Sequence, residues 1–215
     1  SDRHHDGMPP SPLPTFWSFN RLRDANRIPT ETLTWQGPFS WPRHRGPDAP
    51  PEMPDGAGVY LMTFETQEGH ILRSAGVSGA LQRRLREHER LYLHGDYTIL
   101  DVEAARVGLR HERWHGWAFA RQHPDLRAEH LDFIRAAARE ELAACRLFTA
   151  AEPDRRRRER IEFAIIHAAY ASGQPWGDLV DGGMSLRGRD NGEMPVRLIN
   201  ACSSQIHGLP DDMEI

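Results

Sequence analysis

The sequence predicts an α+β fold in which a small antiparallel β-sheet is flanked by helices. Two neighbouring segments, residues 57–65 and 70–76, are rich in strand-forming side chains and are joined by the turn Gln67-Glu68-Gly69. A third, short apolar segment at 146–150 predicts another strand. Helical periodicity covers residues 80–93, 124–144 and 153–171. The predicted order is therefore β-β-α, an insertion, and then α-β-α.

The helix boundaries have local causes in the sequence. Pro124-Asp125 puts a proline in a first helical turn, where its missing N–H costs nothing. Glu152-Pro153-Asp154 opens the last helix in the same way, and Gly173 and Pro175 end it.

Composition shifts divide the chain into four predicted segments. The first residues are rich in Pro, His and Asp, and they are followed by aromatic side chains set among many prolines. The segments are a disordered tail (1–15), an irregular N-terminal arm packed on the core (16–54), the core (55–177, with an insertion at 94–123) and a C-terminal extension (178–215).

The charge of the chain limits its function. Its net charge of −4 argues against a uniformly basic protein that coats DNA, although a local basic patch is enough for binding. All 27 basic side chains are arginines, which bind phosphate through a planar fork of donors. The clearest clusters are 83–90 and 155–158, and the second equally suits a solvated helix start.

The sequence predicts a cytoplasmic protein without membrane association. Two cysteines, Cys145 and Cys202, are too few for a disulfide framework. The first residues lack the apolar stretch of a secretory signal, and no apolar run approaches the roughly 20 residues of a membrane helix.

Two of the predicted helices carry charged side chains inside their apolar faces. Arg84 and His88 fall within the arc defined by Leu81, Leu85 and Tyr92, and they lie one turn apart. A buried arginine is costly unless it has a partner.

Glu162 breaks the pattern of the last helix in the same way, because it falls beside Ile166 and Ala169. A carboxylate in such a place needs a cation or a hydrogen-bond donor. Two interpretations stay open: Arg84 and Glu162 form a buried ion pair next to a histidine at the core edge, or these side chains form a functional site.

Residues 55–177 carry a set of short motifs in a defined order. Gly58-Val59-Tyr60 lies on the first strand, Ala75-Gly76 ends the second, and Arg84 follows Gly76 by eight residues on the first helix. Glu162 lies on a later helix behind a short strand. This set resembles the GIY-YIG nuclease superfamily, whose metal-binding glutamate lies on a later helix in the same way.

Three further positions bear on this resemblance. Some restriction enzymes of the family carry a histidine where His88 stands. The second motif departs from the family pattern because Ser74 replaces its tyrosine, and the family's asparagine beyond the glutamate has Asp178 as its nearest counterpart, with Asn191 more remote.

The resemblance implies a site for phosphodiester hydrolysis. Glu162 would bind one Mg²⁺ or Mn²⁺ ion, and Arg84 would hold the non-bridging phosphate oxygens. Either Tyr60 or His88 would be the general base, and the choice between them stays open. The implied substrate contacts are Gly58, Ser74, Gly76 and Arg83.

The function that follows is a metal-dependent endonuclease that hydrolyses phosphodiester bonds in DNA. An alternative is a catalytically weak or inactive relative that binds nucleic acid, because Ser74 replaces the motif tyrosine.

A zinc metalloprotease is a less favoured hypothesis. His111-Glu112-Arg113-Trp114-His115 fits the HExxH signature, which needs both histidines on one helix face. Gly116 follows directly, where such a helix should continue, so a strand anchored by Trp114 and Trp117 is the favoured interpretation of this segment.

Overall fold

The computed structural model describes residues 28–173, 175–183 and 185–215. The predicted tail and the arm up to residue 27 lie outside the described residues. The strands are β1 (Thr30–Ser40), β2 (Gly58–Thr66), β3 (Gly69–Ser78), β4 (Ile99–Leu100), β5 (Glu112–Trp114), β6 (Cys145–Ala151), β7 (Arg197–Cys202), β8 (Ile206–His207) and β9 (Asp212–Glu214). The helices are α1 (Leu81–Leu93), α2 (Val102–Arg106), α3 (Trp117–Gln122), α4 (Pro124–Glu129), α5 (Leu131–Ala144), α6 (Arg155–Ala171) and α7 (Trp176–Leu179).

The main sheet has seven strands in the order β8-β3-β2-β6-β1-β7-β9, and it curls into a half-barrel. Its central pairs, β3-β2, β2-β6 and β6-β1, are antiparallel, whereas β1-β7 and β3-β8 are parallel. Strands β4 and β5 form a separate two-stranded sheet within the insertion. The predicted fold class, a small antiparallel sheet with an irregular arm, is therefore wrong.

The error arises at both ends of the chain. Residues 30–40 of the predicted arm form β1, which lies between β6 and β7. Leu33 and Trp35 alternate with polar side chains and are buried, as expected of a strand with one face on the core. The predicted C-terminal extension supplies β7, β8 and β9, which were too short to produce a clear alternating pattern.

Alternating side chains of β2 supply two separate apolar cores. Val59 and Leu61 pack with α6 on one side, and Tyr60 and Met62 pack with α1 and α5 on the other. The motif-bearing helices therefore lie on different sides of the sheet. Among the described residues, no helix combines the length and the apolar content needed to cross a membrane.

Candidate active site

The candidate site is a cavity of about 340 Å³ at the open edge of β3. Strand β8 pairs with β3 only at His70 and Ile71, so the remainder of this edge has no neighbouring strand within the described residues. Residues 73–77 of β3 line the cavity instead. Because α1 and α6 approach this edge from opposite sides of the sheet, side chains from both helices reach the same space.

The cavity brings together most of the side chains singled out in the sequence. Those that line it are Tyr60, Ser74, Gly76, Arg84, His88 and Glu162. Two of the predicted substrate contacts lie elsewhere. Gly58 packs against β6 so closely that a Cβ atom added to this residue would come 2.4 Å from the carbonyl oxygen of Ala150. The Arg83 side chain is 71% exposed on the outer face of α1.

Gly76 is required by the position of Tyr60. The two residues are opposite each other in the β2-β3 register, and the phenol ring crosses the backbone of Gly76. A Cβ atom at residue 76 would lie 2.2 Å from the Tyr60 hydroxyl oxygen. Any other residue would therefore displace the phenol from the cavity.

A chain of hydrogen bonds connects Tyr60, His88 and Tyr97. The Tyr60 hydroxyl lies 2.5 Å from His88 Nε2, and the Tyr97 hydroxyl lies 2.8 Å from His88 Nδ1. Burial, together with the positive charge of Arg84, lowers the pKa of His88 to about 3. The imidazole is therefore neutral at pH 7, so one of its nitrogens donates a hydrogen bond and the other accepts one.

Tyr60 keeps its proton in the free protein. Burial raises the pKa of its phenol above the usual value, and the positive charge of Arg84 only partly offsets this effect. Because a phenol carries a proton that it can donate, the Tyr60 hydroxyl can donate to Nε2 while Nδ1–H donates to the Tyr97 oxygen. In that arrangement His88 is the group that can accept the proton of Tyr60.

Arg84 presents a positive charge to the cavity. Its Nη1 atom lies 3.1 Å from a carboxylate oxygen of Glu87, and its side chain is 42% exposed. Within the described residues no salt bridge joins Arg84 to Glu162, so the buried ion pair, one of the two interpretations left open by the sequence, does not form. A guanidinium has five N–H donors, so Arg84 can still bind an anion.

Glu162 is the carboxylate that α6 directs into the cavity. Burial raises the pKa of this carboxyl to about 7, although the positive charge of Arg84 opposes the shift. No hydrogen bond to its oxygens is found in the part of the chain that the structure describes, which leaves them available to a cation.

The donor set fits a weakly bound Mg²⁺ or Mn²⁺ ion. The described residues contain no group of three or more His, Cys, Asp or Glu side chains placed to hold a metal. Mg²⁺ usually keeps several waters and needs only one or two protein carboxylates beside the oxygens of a phosphate substrate. Glu162 can supply such a ligand, whereas a tight site that binds metal without substrate is not present in these residues.

A buried charge network that includes two lining residues of the cavity, Arg73 and Asp181, was not predicted. The Arg73 guanidinium is 2% exposed, and it donates to Glu141 Oε1 at 3.0 Å and to Asp181 Oδ2 at 2.7 Å. Arg110 contacts the other oxygen of Asp181 at 3.1 Å. The sequence did contain one signal of this network. Arg73 is a charged residue that directly follows two apolar residues of β3, Ile71 and Leu72.

The same network holds in place the loop that begins at Asp181, and residues 181–183 of this loop line one side of the cavity. Ser74 donates from its hydroxyl to the Asp181 carbonyl oxygen at 2.8 Å, and the Asp181 backbone N–H donates to the Arg73 carbonyl oxygen at 3.1 Å. Asp178 and Asn191, the predicted counterparts of the family's asparagine, do not line the cavity. The carboxylate from this part of the chain that does line it is Asp181.

The HExxH segment lacks the helix that a zinc protease requires. Glu112 to Trp114 form β5, and the His111 and His115 side chains that flank it are exposed. Glu112 contacts His115 Nδ1 at 2.7 Å and Arg110 at 2.9 Å. Trp114 is buried and anchors the strand, as the favoured interpretation of this segment predicted, but Trp117, the second predicted anchor, begins α3.

Comparisons of this chain with protein-family models, with curated proteins and with solved structures found no match.

Proposed function

We propose that this chain is a metal-dependent nuclease that hydrolyses phosphodiester bonds in DNA with chemistry of the GIY-YIG type. The observation that carries the proposal is the convergence of Tyr60, Arg84, His88 and Glu162 on one cavity. These side chains supply a hydrogen-bonded acid–base pair, a cation and a carboxylate. Phosphodiester hydrolysis needs each of these: proton transfer, stabilisation of the phosphate charge and a ligand for a divalent metal.

The phosphate would be held by Arg84 and aligned with the Tyr60–His88 pair. The planar fork of Arg84 can donate two hydrogen bonds to the non-bridging oxygens, where negative charge develops during attack by water. The open edge of β3 and the wall formed by Gly76 leave room for the phosphate backbone beside Tyr60. Mg²⁺ or Mn²⁺ bound through Glu162 would act as a Lewis acid that stabilises the leaving oxygen.

Proton transfer favours His88 as the final acceptor. The Tyr60 phenol holds its proton because its pKa is raised, so Tyr60 can orient the attacking water or pass a proton to Nε2. A bound phosphodiester brings a negative charge beside His88, and a negative neighbour raises the pKa of an imidazole. His88 is therefore neutral in the free protein, and bound substrate would make it a better base.

A DNA-binding protein that does not cleave is a second candidate, and the position of Ser74 favours it. The family's second tyrosine is absent, and the Ser74 hydroxyl is engaged by the Asp181 carbonyl oxygen. Ser74 therefore supports the loop and is not free to take the role of the missing tyrosine.

The test is cleavage of plasmid DNA in Mg²⁺ or Mn²⁺ by purified protein. We expect Arg84→Ala and Glu162→Gln each to reduce the rate by at least about a hundredfold, the usual cost of removing one electrostatic contact to a transition state. Arg83→Ala is the matched control, because it removes the neighbouring exposed arginine outside the cavity. DNA binding without any metal-dependent cleavage would favour the second candidate, and equal rates in all variants would refute the proposed site.

We also propose a reducing compartment, the cytoplasm, for this protein. Both described cysteines, Cys145 and Cys202, are free thiols.

A further inference from the structure

A groove between α1 and α5 concentrates positive charge on a chain whose net charge is −4. It encloses about 330 Å³ and lies apart from the cavity that holds Tyr60. Arg86 and Arg90 line it from α1, and Arg135 and Arg139 line it from α5. Each pair is one helical turn apart, so its two side chains lie on the same face of its helix.

These four arginines are available to a ligand. None of them forms a salt bridge with another residue in the ranges that the structure describes. The one carboxylate of the groove, Glu89, is already engaged by Arg43 and by His44 Nε2 at 3.0 Å. Elsewhere on the surface, arginines are commonly paired with nearby carboxylates, as in the contacts of Arg156 with Glu159 and Glu193.

From this groove we infer a second nucleic-acid contact, in which Arg86, Arg90, Arg135 and Arg139 bind the sugar–phosphate backbone of the same polymer that enters the cavity. Two rows of arginine suit a ligand with repeating charges better than a single phosphate. Arginines four residues apart are separated by about 6 Å along a helix axis, which corresponds to about two phosphate steps of about 3.4 Å along one strand. The groove is concave, and Leu93, which is only partly exposed, is the one apolar side chain among its lining residues. A membrane surface would instead need exposed apolar side chains that insert.

The groove and the cavity are separated by the thickness of one helix. Arg84 and His88 point from α1 into the cavity, and Arg86 and Arg90 each lie two residues further on, about 200° around the helix axis. A helix with its side chains is about 10–12 Å across, a distance that about four nucleotides of one strand span. A longer nucleic acid can therefore occupy both sites, whereas a very short one can fill only the cavity.

The inference rests on the proposed function for the identity of the polymer, but its test measures binding without cleavage. A labelled DNA duplex of about 30 base pairs is titrated with protein in EDTA at several salt concentrations, because each neutralised phosphate contributes about 0.9 to the salt slope. We expect the double variant Arg86→Ala/Arg139→Ala to bind roughly tenfold more weakly and to lower the slope by about two. Its folding should be unchanged, since both side chains are exposed.

The matched control is Arg121→Ala/Arg155→Ala, which removes the same charge from two exposed arginines outside the groove. This pair should leave the slope unchanged. Equal affinity and slope for the wild-type protein and the groove variant would overturn the inference, as would binding to phosphatidylserine vesicles in place of DNA.

The two proposals can fail separately. If Arg84→Ala leaves plasmid cleavage intact while the groove variant still loses duplex binding, the groove stands and the proposed catalytic site does not. If cleavage depends on Arg84 but duplex binding does not change in the groove variant, the proposed catalytic site stands and the groove inference does not.

Discussion

Replacing Glu162 by glutamine should stabilise the protein at alkaline pH while it abolishes metal-dependent activity. Burial raises the pKa of this carboxyl from an ordinary 4.5 to about 7, so the folded protein binds a proton that the unfolded chain has already released. Stability is therefore lost as pH rises from about 4.5 to 7, and the loss is complete above the folded-state pKa. Glutamine keeps the shape of the side chain without the charge.

The magnitude follows from the pKa difference. At about 1.4 kcal/mol for each tenfold change in proton affinity, the change from 4.5 to about 7 corresponds to at most about 3.5 kcal/mol. The carboxyl group is partly exposed, so water screens part of this penalty and we expect about 1–2 kcal/mol at pH 8. At pH 5 most of the difference should disappear, because the folded wild-type protein is then protonated at Glu162.

The assay is urea unfolding followed by tryptophan fluorescence at pH 5 and pH 8. Glu129→Gln is the control, since it neutralises an exposed carboxylate outside the cavity and should change stability little at either pH. Because the metal site is weak without substrate, Mg²⁺ must be added in large excess to stabilise the wild-type protein at pH 8 more than the Glu162→Gln variant. A variant that is less stable than wild type at pH 8 would show that the Glu162 carboxylate is satisfied within the protein.

Three further substitutions test other parts of the site. Arg73→Met should lower the free energy of unfolding by about 3–5 kcal/mol in thermal melts, because it leaves the buried Glu141 carboxylate without its cation, and a stable variant would contradict the buried network. Gly76→Ala should displace the Tyr60 ring and reduce cleavage by at least about a hundredfold, and full activity would mean that the phenol does not have to occupy this position. Tyr97→Phe removes the hydroxyl next to His88 Nδ1, so steady-state kinetics should show kcat reduced by at least about tenfold with little change in KM, whereas a change in KM alone would assign Tyr97 to substrate binding.

Local patterns in the sequence indicated the residues of the cavity. Arg84, His88 and Glu162 each interrupt an apolar helix face, and such an interruption can be recognised from a single helix. That these side chains meet in one cavity agrees with this reasoning, while their catalytic roles remain predictions. Tyr97 and Asp181 could not be recognised in the same way, because their partners are contributed by other segments and their own surroundings carry no periodic signal.

The architecture was harder to predict than the cavity. Leu33 and Trp35 do alternate with polar residues, but the prolines nearby suggested an irregular arm. Strands β8 and β9 have two and three residues, too few for a pattern of period two. A strand that is defined mainly by its distant neighbours can be assigned only when those neighbours are known.

The parallel pairing of β1 with β7 also determines when the sheet can be completed during synthesis. Thr30 pairs with Arg197, so the ribosome must add about 167 residues after the first partner before the second exists. Until then the outer edge of β1 is exposed, and an uncovered strand edge is a template for pairing with another chain. Contacts of such long sequence separation also slow folding. We therefore expect this protein to depend on protection of its nascent chain, and to aggregate when synthesis stops before residue 197.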